Sequence, residues 1–202
     1  MIHPDTYVRI VNPEIGYGVF ASRPIPKGTI VYVKDELELE ITPGEFAQYS
    51  KELQFHIEKY SYIDERGNRI ISWDIGKYVN HCCYPNTMST GYGFEIAMRD
   101  IEQGEEITDE YGLFNLEYNM DVRCGKPQCR LQIQPDDILH YYTRWDKEVK
   151  SSLDHLQSVD QPLWSFLSEE VIAGLEQYYN DHQQYRSVLH LKNQLLHLNG
   201  RK

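Results

Sequence analysis

Up to about residue 130, apolar positions come in short runs of β-branched and aromatic residues; beyond it they recur at helical spacing. Residues 7–11 and 18–21 are short apolar runs, divided by Asn12-Pro13 and Gly16-Tyr17-Gly18, which is turn material. After the turn Pro24-Ile25-Pro26-Lys27-Gly28, residues 29–33 are almost wholly β-branched or aromatic and predict the clearest strand. Residues 37–41 alternate apolar and acidic side chains, the pattern of a half-buried strand. Thr42 is placed to cap a helix over 43–57, with Pro43 at the first helical position and Glu45 in the first turn. Residues 60–63 and 69–72 flank a polar turn at 64–68 and predict a hairpin, and 94–98 and 106–108 predict further strands.

After Arg130, residues 135–156, 162–179 and 181–198 predict three helices, broken at Gln161-Pro162 and at Asn180. Tyr141, Trp145, Val149 and Leu153 recur every four residues and share one face. That face suits packing against the first part or between the helices; a dimer surface or a substrate lid is the alternative. The expected organisation is a mainly β domain over 1–131 followed by an α-helical C-terminal extension over 132–202.

Charge narrows the partners. The 202 residues carry 20 Lys and Arg against 31 Asp and Glu, a formal net charge of −11. Nucleic acid and anionic membrane surfaces are excluded as general partners, because both need clustered cations. Basic partners remain open. No run approaches the roughly 18 apolar residues of a membrane span, and residues 1–11 lack the apolar segment of a signal peptide. The expectation is a cytoplasmic protein with reduced thiols, nuclear if eukaryotic, with a secreted effector not excluded. Four cysteines make no disulfide framework, yet adjacent Cys82 and Cys83 with Cys124 and Cys129 ask for a chemical reading.

Three stretches carry the candidate chemistry. Gly16-Tyr17-Gly18-Val19-Phe20-Ala21 lets backbone approach a ligand, although a hairpin turn needs the same glycines. Tyr78 to Asn86 packs Asn80, His81, Cys82, Cys83 and Asn86 around Pro85, a dense set of hydrogen-bonding side chains. Residues 97–112 combine a strand, a turn at Gln103-Gly104 and an acidic strand that ends in Tyr111. Each alone reads as ordinary turn, core or hairpin.

In this order and spacing the three resemble the SET domain of protein lysine methyltransferases over residues 7–131. Ile25-Pro26-Lys27-Gly28 is similar to the family's turn, and Asn80-His81-Cys82-Cys83-Tyr84-Pro85-Asn86 to its N-H-S-C-x-P-N signature, with Cys82 for serine. Residues 97–111 match the following signature, with Glu110 for aspartate. The resemblance implies a SET-type β-clip in which the Asn80-His81 segment threads beneath the loop from Gly104 to Tyr111, a pseudoknot. It implies S-adenosylmethionine as methyl donor, contacted by Gly16, Tyr17, Gly18, Lys77, Tyr78, Asn80 and His81, with Leu131 closing over the adenine. It further implies Tyr111 as the catalytic tyrosine, lying in a narrow channel for a lysine side chain. A basic protein or peptide, histone-like, would be the substrate. Glu105, Glu106, Asp109 and Glu110 are expected to form an acidic attractor beside that channel.

Two departures stand out. Asp109 occupies the channel position where many relatives carry Phe or Tyr, and a carboxylate there would hold lysine as ammonium. The resemblance also implies zinc at Cys83, Cys124 and Cys129, but Val122 occupies the place of the fourth thiolate. Cys82 reads as a small core residue. A catalytically idle interaction module of the same fold is the competing reading, and a methyltransferase for a free amine a third.

Overall fold

The structure is a computed structural model in which residues 1–193 are described. Alternating side chains pair the N-terminal strands β1 (Thr6–Asn12) and β2 (Gly16–Ala21) antiparallel, and the tight return is made at Gly16, where φ is +86°. The β-branched run forms β3 (Ile30–Val33), followed by β4 (Leu39–Ile41). Thr42 caps α1 (Pro43–Gln48) through a reciprocal box with Glu45, as its position predicts. The expected single helix over 43–57 is two helices, because Ser50 accepts from Leu53 N and starts α2 (Lys51–Tyr60) afresh. Residues 36–38 are turn rather than strand, since the Asp35 carboxylate takes the Leu37 amide and bends the chain there.

The predicted hairpin forms as β5 (Ser61–Ile63) and β6 (Arg69–Ile71), and β6 pairs β4 on its other side. A 3₁₀ turn (Ile75–Tyr78) leads into β7 (Asn80–His81), then β8 (Thr87–Ser89), β9 (Phe94–Ala97) and β10 (Glu106–Asp109). A second 3₁₀ turn (Tyr111–Leu113) precedes the small pair β11 (Met120–Asp121) and β12 (Gln132–Ile133). Sheet orders are β1-β2-β10-β7, β3-β9-β8 and β4-β6-β5, so the fold is several small sheets in a mainly β body. Helices α3 (Asp137–Leu156) and α4 (Glu169–Asn180) close the chain. The second expected helix starts later than residue 162: residues 164–166 form a 3₁₀ turn and Ser168 caps α4. The third is replaced by 3₁₀ turns at His182–Gln184 and Val188–Leu191, and its last part, 194–198, lies outside the described residues.

The Tyr141–Leu153 stripe turns inward. Trp145, Val149 and Leu153 are fully buried with Ile30, Met88, Phe94 and Ile96 of the sheets and Leu175 and Tyr178 of α4. Burial of such side chains contributes roughly 1.5–3 kcal/mol each. One hydrophobic cluster therefore spans the boundary expected at residue 131. Gln161, read as a helix break, is also a clamp: its Oε1 accepts from Ile30 N at 2.8 Å and its Nε2 donates to Gly28 O at 2.8 Å. Trp145 reaches the 3₁₀ turn at Tyr111, where a Cβ on Gly112 would stand 2.9 Å from its ring. The helices thus buttress the turn that carries Tyr111.

Candidate active site

Strand β10 is central to the site. It pairs β2 antiparallel and β7 in parallel, which sets Thr108 beside Asn80 and Asp109 beside His81. A parallel pair needs a crossover rather than a turn, and here 24 residues separate β7 (ending at 81) from β10 (starting at 106). Asn86, at the end of the signature stretch, ties the two segments together. Its Oδ1 accepts from Thr108 N at 2.8 Å and its Nδ2 donates to Glu106 O at 2.8 Å. Cys82 N adds a bond to Asp109 O at 3.0 Å. On the opposite side, Asn80 Nδ2 donates to Tyr17 O at 3.0 Å and to Glu106 Oε1 at 2.8 Å. Gly18 must lack a side chain, because a Cβ would fall 2.5 Å from Glu106 Oε1 and 3.0 Å from Asn80 Nδ2.

Tyr111 enters this arrangement from the end of β10. Its hydroxyl donates to Val79 O at 2.6 Å, and its amide donates to His81 Nδ1 at 3.2 Å. His81 Nδ1 also lies 3.1 Å from Asp109 O, and Nε2 faces Cys83 Sγ at 3.3 Å, so the proton on the ring serves one of these two sides. Burial, then the nearby Arg130 guanidinium, pushes the His81 pKa down to about 4, so the ring is neutral at pH 7. Burial first, then Asp109 and Glu95, pushes the Tyr111 phenol well up, so it stays protonated and a donor.

A pocket of about 270 Å³ opens in front of Tyr111. Tyr32, Tyr60, Tyr62, Tyr111, Phe114 and Tyr118 supply its aromatic lining, and Glu95 and Asp109 are carboxyls in its wall. Asp109 is 0% exposed: Oδ1 accepts from Glu110 N, while Oδ2 is buried with no donor. Lys77 lines the same pocket and holds only the Ser72 and Trp73 carbonyls, at 3.4 and 3.3 Å.

The thiols of Cys83, Cys124 and Cys129 lie within 4.8 Å of one another. Cys124 is pulled down to about 7: burial opposes this, but the Lys126 and Cys83 amides and the neighbouring thiols outweigh it. Burial pushes Cys83 up to about 11. Structural zinc takes four ligands. Val122, at the missing ligand's place, is buried against Cys83 and Ile133, and the Asp121 carboxylate is engaged by Gln132. The donor set therefore fits three corners of a tetrahedral site, and among the described residues no fourth Cys, His or carboxylate joins them.

Most of the sequence-derived residues meet. Gly18, Tyr17, Asn80, His81, Asp109 and Tyr111 are linked by the bonds above, and the Tyr17 ring lies 5.4 Å from that of Tyr78. Gly16 makes the return between β1 and β2. Leu131 stands on the rim of the β11–β12 pair, 64% exposed with φ +64°, its carbonyl accepting from Val122 N. The expected acidic attractor does not form from the four residues named for it. Asp109 and Glu110 are both fully buried, Glu105 is held by Arg99, and Glu106 by Asn80. A consecutive run of acids reads as a solvated edge, but β10 is a central strand and its alternate faces are both covered.

Sequence reasoning misses Glu95, Arg130 and the tyrosines of α2 and β5. Glu95 sits in the alternation Phe94-Glu95-Ile96, where a polar residue signals a solvent face; here that face lines the pocket. Arg130 adjoins the cysteine segment and gives no local sign of its partners. It bridges Glu110 and, at 3.1 Å, Asp137 at the start of α3.

Comparison with known proteins bears on the fold family. The SET domain family model matches residues 16–112. Residues 16–112 thus carry a SET domain. A variant-silencing SET domain-containing protein of Plasmodium falciparum is 34% identical over 57% of this chain and 5% of that protein. A histone-lysine N-methyltransferase, H3 lysine-36 specific, of Cryptococcus neoformans is 30% identical over 59% of this chain and 16% of that protein. The H3 lysine-4 specific enzyme of Candida albicans is 28% identical over 63% of this chain and 13% of that protein. The chain thus spans a small fraction of these curated relatives. A solved Plasmodium falciparum structure aligns with 19% identity over 55% of this chain and 95% of that chain, at a TM-score of 0.39.

Proposed function

We propose that this chain is a protein-lysine N-methyltransferase using S-adenosylmethionine, acting on a lysine in a basic protein or peptide such as a histone tail. The observation that carries the reading is Tyr111, held by Val79 O and His81 at the head of an aromatic-lined pocket beside Asn80. S-adenosylmethionine supplies an electrophilic methyl group on a sulfonium, so the protein's task is alignment rather than activation of a strong nucleophile.

The residues present suit that donor. Asn80 spends both amide hydrogens on Tyr17 O and Glu106, which leaves Oδ1 to accept from an adenine amine. Lys77 pairs with no carboxylate among the described residues and suits the donor's own carboxylate. Gly16 has open space where a Cβ would be, so backbone there can be approached. Tyr111 keeps its hydroxyl proton and orients with it, while Val79 O and the phenol oxygen offer lone pairs to developing positive charge. The rings of Tyr32, Tyr60, Tyr62 and Phe114 exclude water and favour a cation near their faces.

Incubation with methyl-labelled cofactor and a set of histones tests the reading. Wild type is expected to label a lysine, and Tyr111→Phe to lower the rate by about 10²–10³-fold, with cofactor binding by calorimetry unchanged. Failure to bind the cofactor would instead favour the idle interaction module.

A further inference from the structure

Two carboxyls, buried Asp109 and half-buried Glu95, stand in the pocket wall without an ion-pair partner among the described residues. Asp109 on β10 and Glu95 on β9 are within side-chain hydrogen-bonding reach of each other. Asp109 Oδ2 is otherwise an orphan, buried and without a donor. Three cations line the same pocket, yet none is spent on this pair. Arg69 is held by Glu117 and Glu58, Lys77 by backbone carbonyls, and Lys59 lies over the Tyr60 ring at 5.3 Å. Two carboxylates in contact cannot both ionise, so the pair shares one proton and carries a single negative charge. Such a pair weakens a fold, since its desolvation is uncompensated. Its place in the wall of the pocket that holds Tyr111 is where that cost has a use.

We propose that the Glu95–Asp109 pair is the proton acceptor for the substrate ammonium. This rests on the methyltransferase reading above. In the step, an N–H bond of the ammonium breaks and an O–H bond forms on the pair. The electron pair stays on nitrogen, ready to attack, and the monoanionic pair becomes two neutral carboxyls. Charge balances, with one positive and one negative charge consumed. The proton leaves through Glu95, the partly open member.

Chemistry favours an amine over a guanidinium. Burial pushes Glu95 up to about 7, with Asp109 and the Met1 amino group opposing and Glu38 adding to the rise. Burial, then Glu95, pushes Asp109 up as well, with Glu110 behind it. The pair's own negative charge favours the ammonium, so an acceptor in that range takes the proton only where the cationic sulfonium of the donor and apolar burial lower the lysine pKa. It cannot take one from a guanidinium, whose pKa lies above about 12. Facing the pair are Tyr111 from the 3₁₀ turn, Tyr62 from β5, and Glu38, which Tyr32 of β3 ties in at 2.7 Å.

The test compares pH–rate profiles of wild type, Glu95→Gln and Asp109→Asn on one labelled lysine substrate. The rising limb of wild-type kcat is expected near pH 7. In either variant it should move upward by at least one pH unit, with a rate loss of about 10²-fold or more at pH 7 and little loss at pH 9.5. If Asp109→Asn fails to fold, Glu95→Gln carries the comparison. A readout without turnover uses carboxyl ¹³C resonances with butylamine as the probe. A resonance titrating near 7 is expected in wild type, shifted by the amine and absent from Glu95→Gln. Variants that keep the wild-type profile, or a wild type without that resonance, would overturn the acceptor role while leaving the methyltransferase reading intact. A wild type that binds cofactor but labels no protein overturns that reading and the acceptor role with it.

Discussion

Asp109 and Glu110 are neighbours in sequence, both fully buried, and live in opposite electrostatic worlds. Glu110 caps the 3₁₀ turn by accepting from Gly112 N at 2.9 Å, and Arg130 bridges it to Asp137 at the N-terminus of α3. Arg130 also lies over the Tyr141 ring, 5.2 Å from its centroid. Asp109 has its own neighbour's amide and Glu95, a second acid. The difference follows from the alternation of an extended strand, which sends consecutive side chains to opposite faces. One face meets the helical extension and is neutralised; the other meets the pocket and is left acidic. Buried charge that is paired holds parts together, whereas buried charge left unpaired is available to a ligand.

That contrast can be broken most severely at Arg130. Replacing it as Arg130→Met leaves Glu110 and Asp137 without their cation, and urea denaturation should show a loss of about 3–5 kcal/mol. An unchanged midpoint would mean that the two acids are solvated and the bridge idle. A smaller effect on the same side is expected from Gly112→Ala. Its Cβ would meet Trp145 at 2.9 Å and Glu110 Oε1 at 3.0 Å, so overpacking should cost about 1–3 kcal/mol. Because the turn positions Tyr111, methyl transfer should fall more than cofactor affinity does.

The effect whose sign separates the two faces is the pH dependence of stability. Glu95 keeps its proton up to about 7 when folded, whereas an unfolded glutamate releases it near ~4.3. The folded state holds the extra proton through that window, so this group's contribution to stability is lost as pH rises from ~4.3 towards 7. His81 acts oppositely: pushed down to about 4 when folded, against ~6.5 unfolded, it loses stability as pH falls through that range. Glu95→Gln should remove the first decline and leave the second. Urea midpoints measured from pH 4 to 8 check this, and a variant curve parallel to wild type would show that the pair is not buried as described.

The elements with strong local signals were legible in the chain alone. The strand at β3, the Thr42 cap, the 64–68 hairpin and the helical stripe of Tyr141, Trp145, Val149 and Leu153 all follow from periodicity and capping chemistry. The family motifs were legible too, because they are runs of specific side chains in fixed order, and the fold places Gly18, Asn80, His81 and Tyr111 close together. What local sequence missed was Ser50 restarting a helix within a continuous helical pattern, the distant partners of Arg130, and the place of Glu95 in the pocket wall.

Sequence by itself determined the SET resemblance and the mainly β body with helices after it. Local propensity and residue order suffice for those, since each depends on neighbours within a few positions. Only tertiary structure decided the fate of the acids around Tyr111. Glu95 and Asp109 are 14 positions apart and meet because β9 and β10 flank one pocket. Arg130 and Glu110 are 20 apart and meet because α3 packs its Trp145 onto Gly112. Charge is counted along the chain, but its energy is set by what surrounds it after folding.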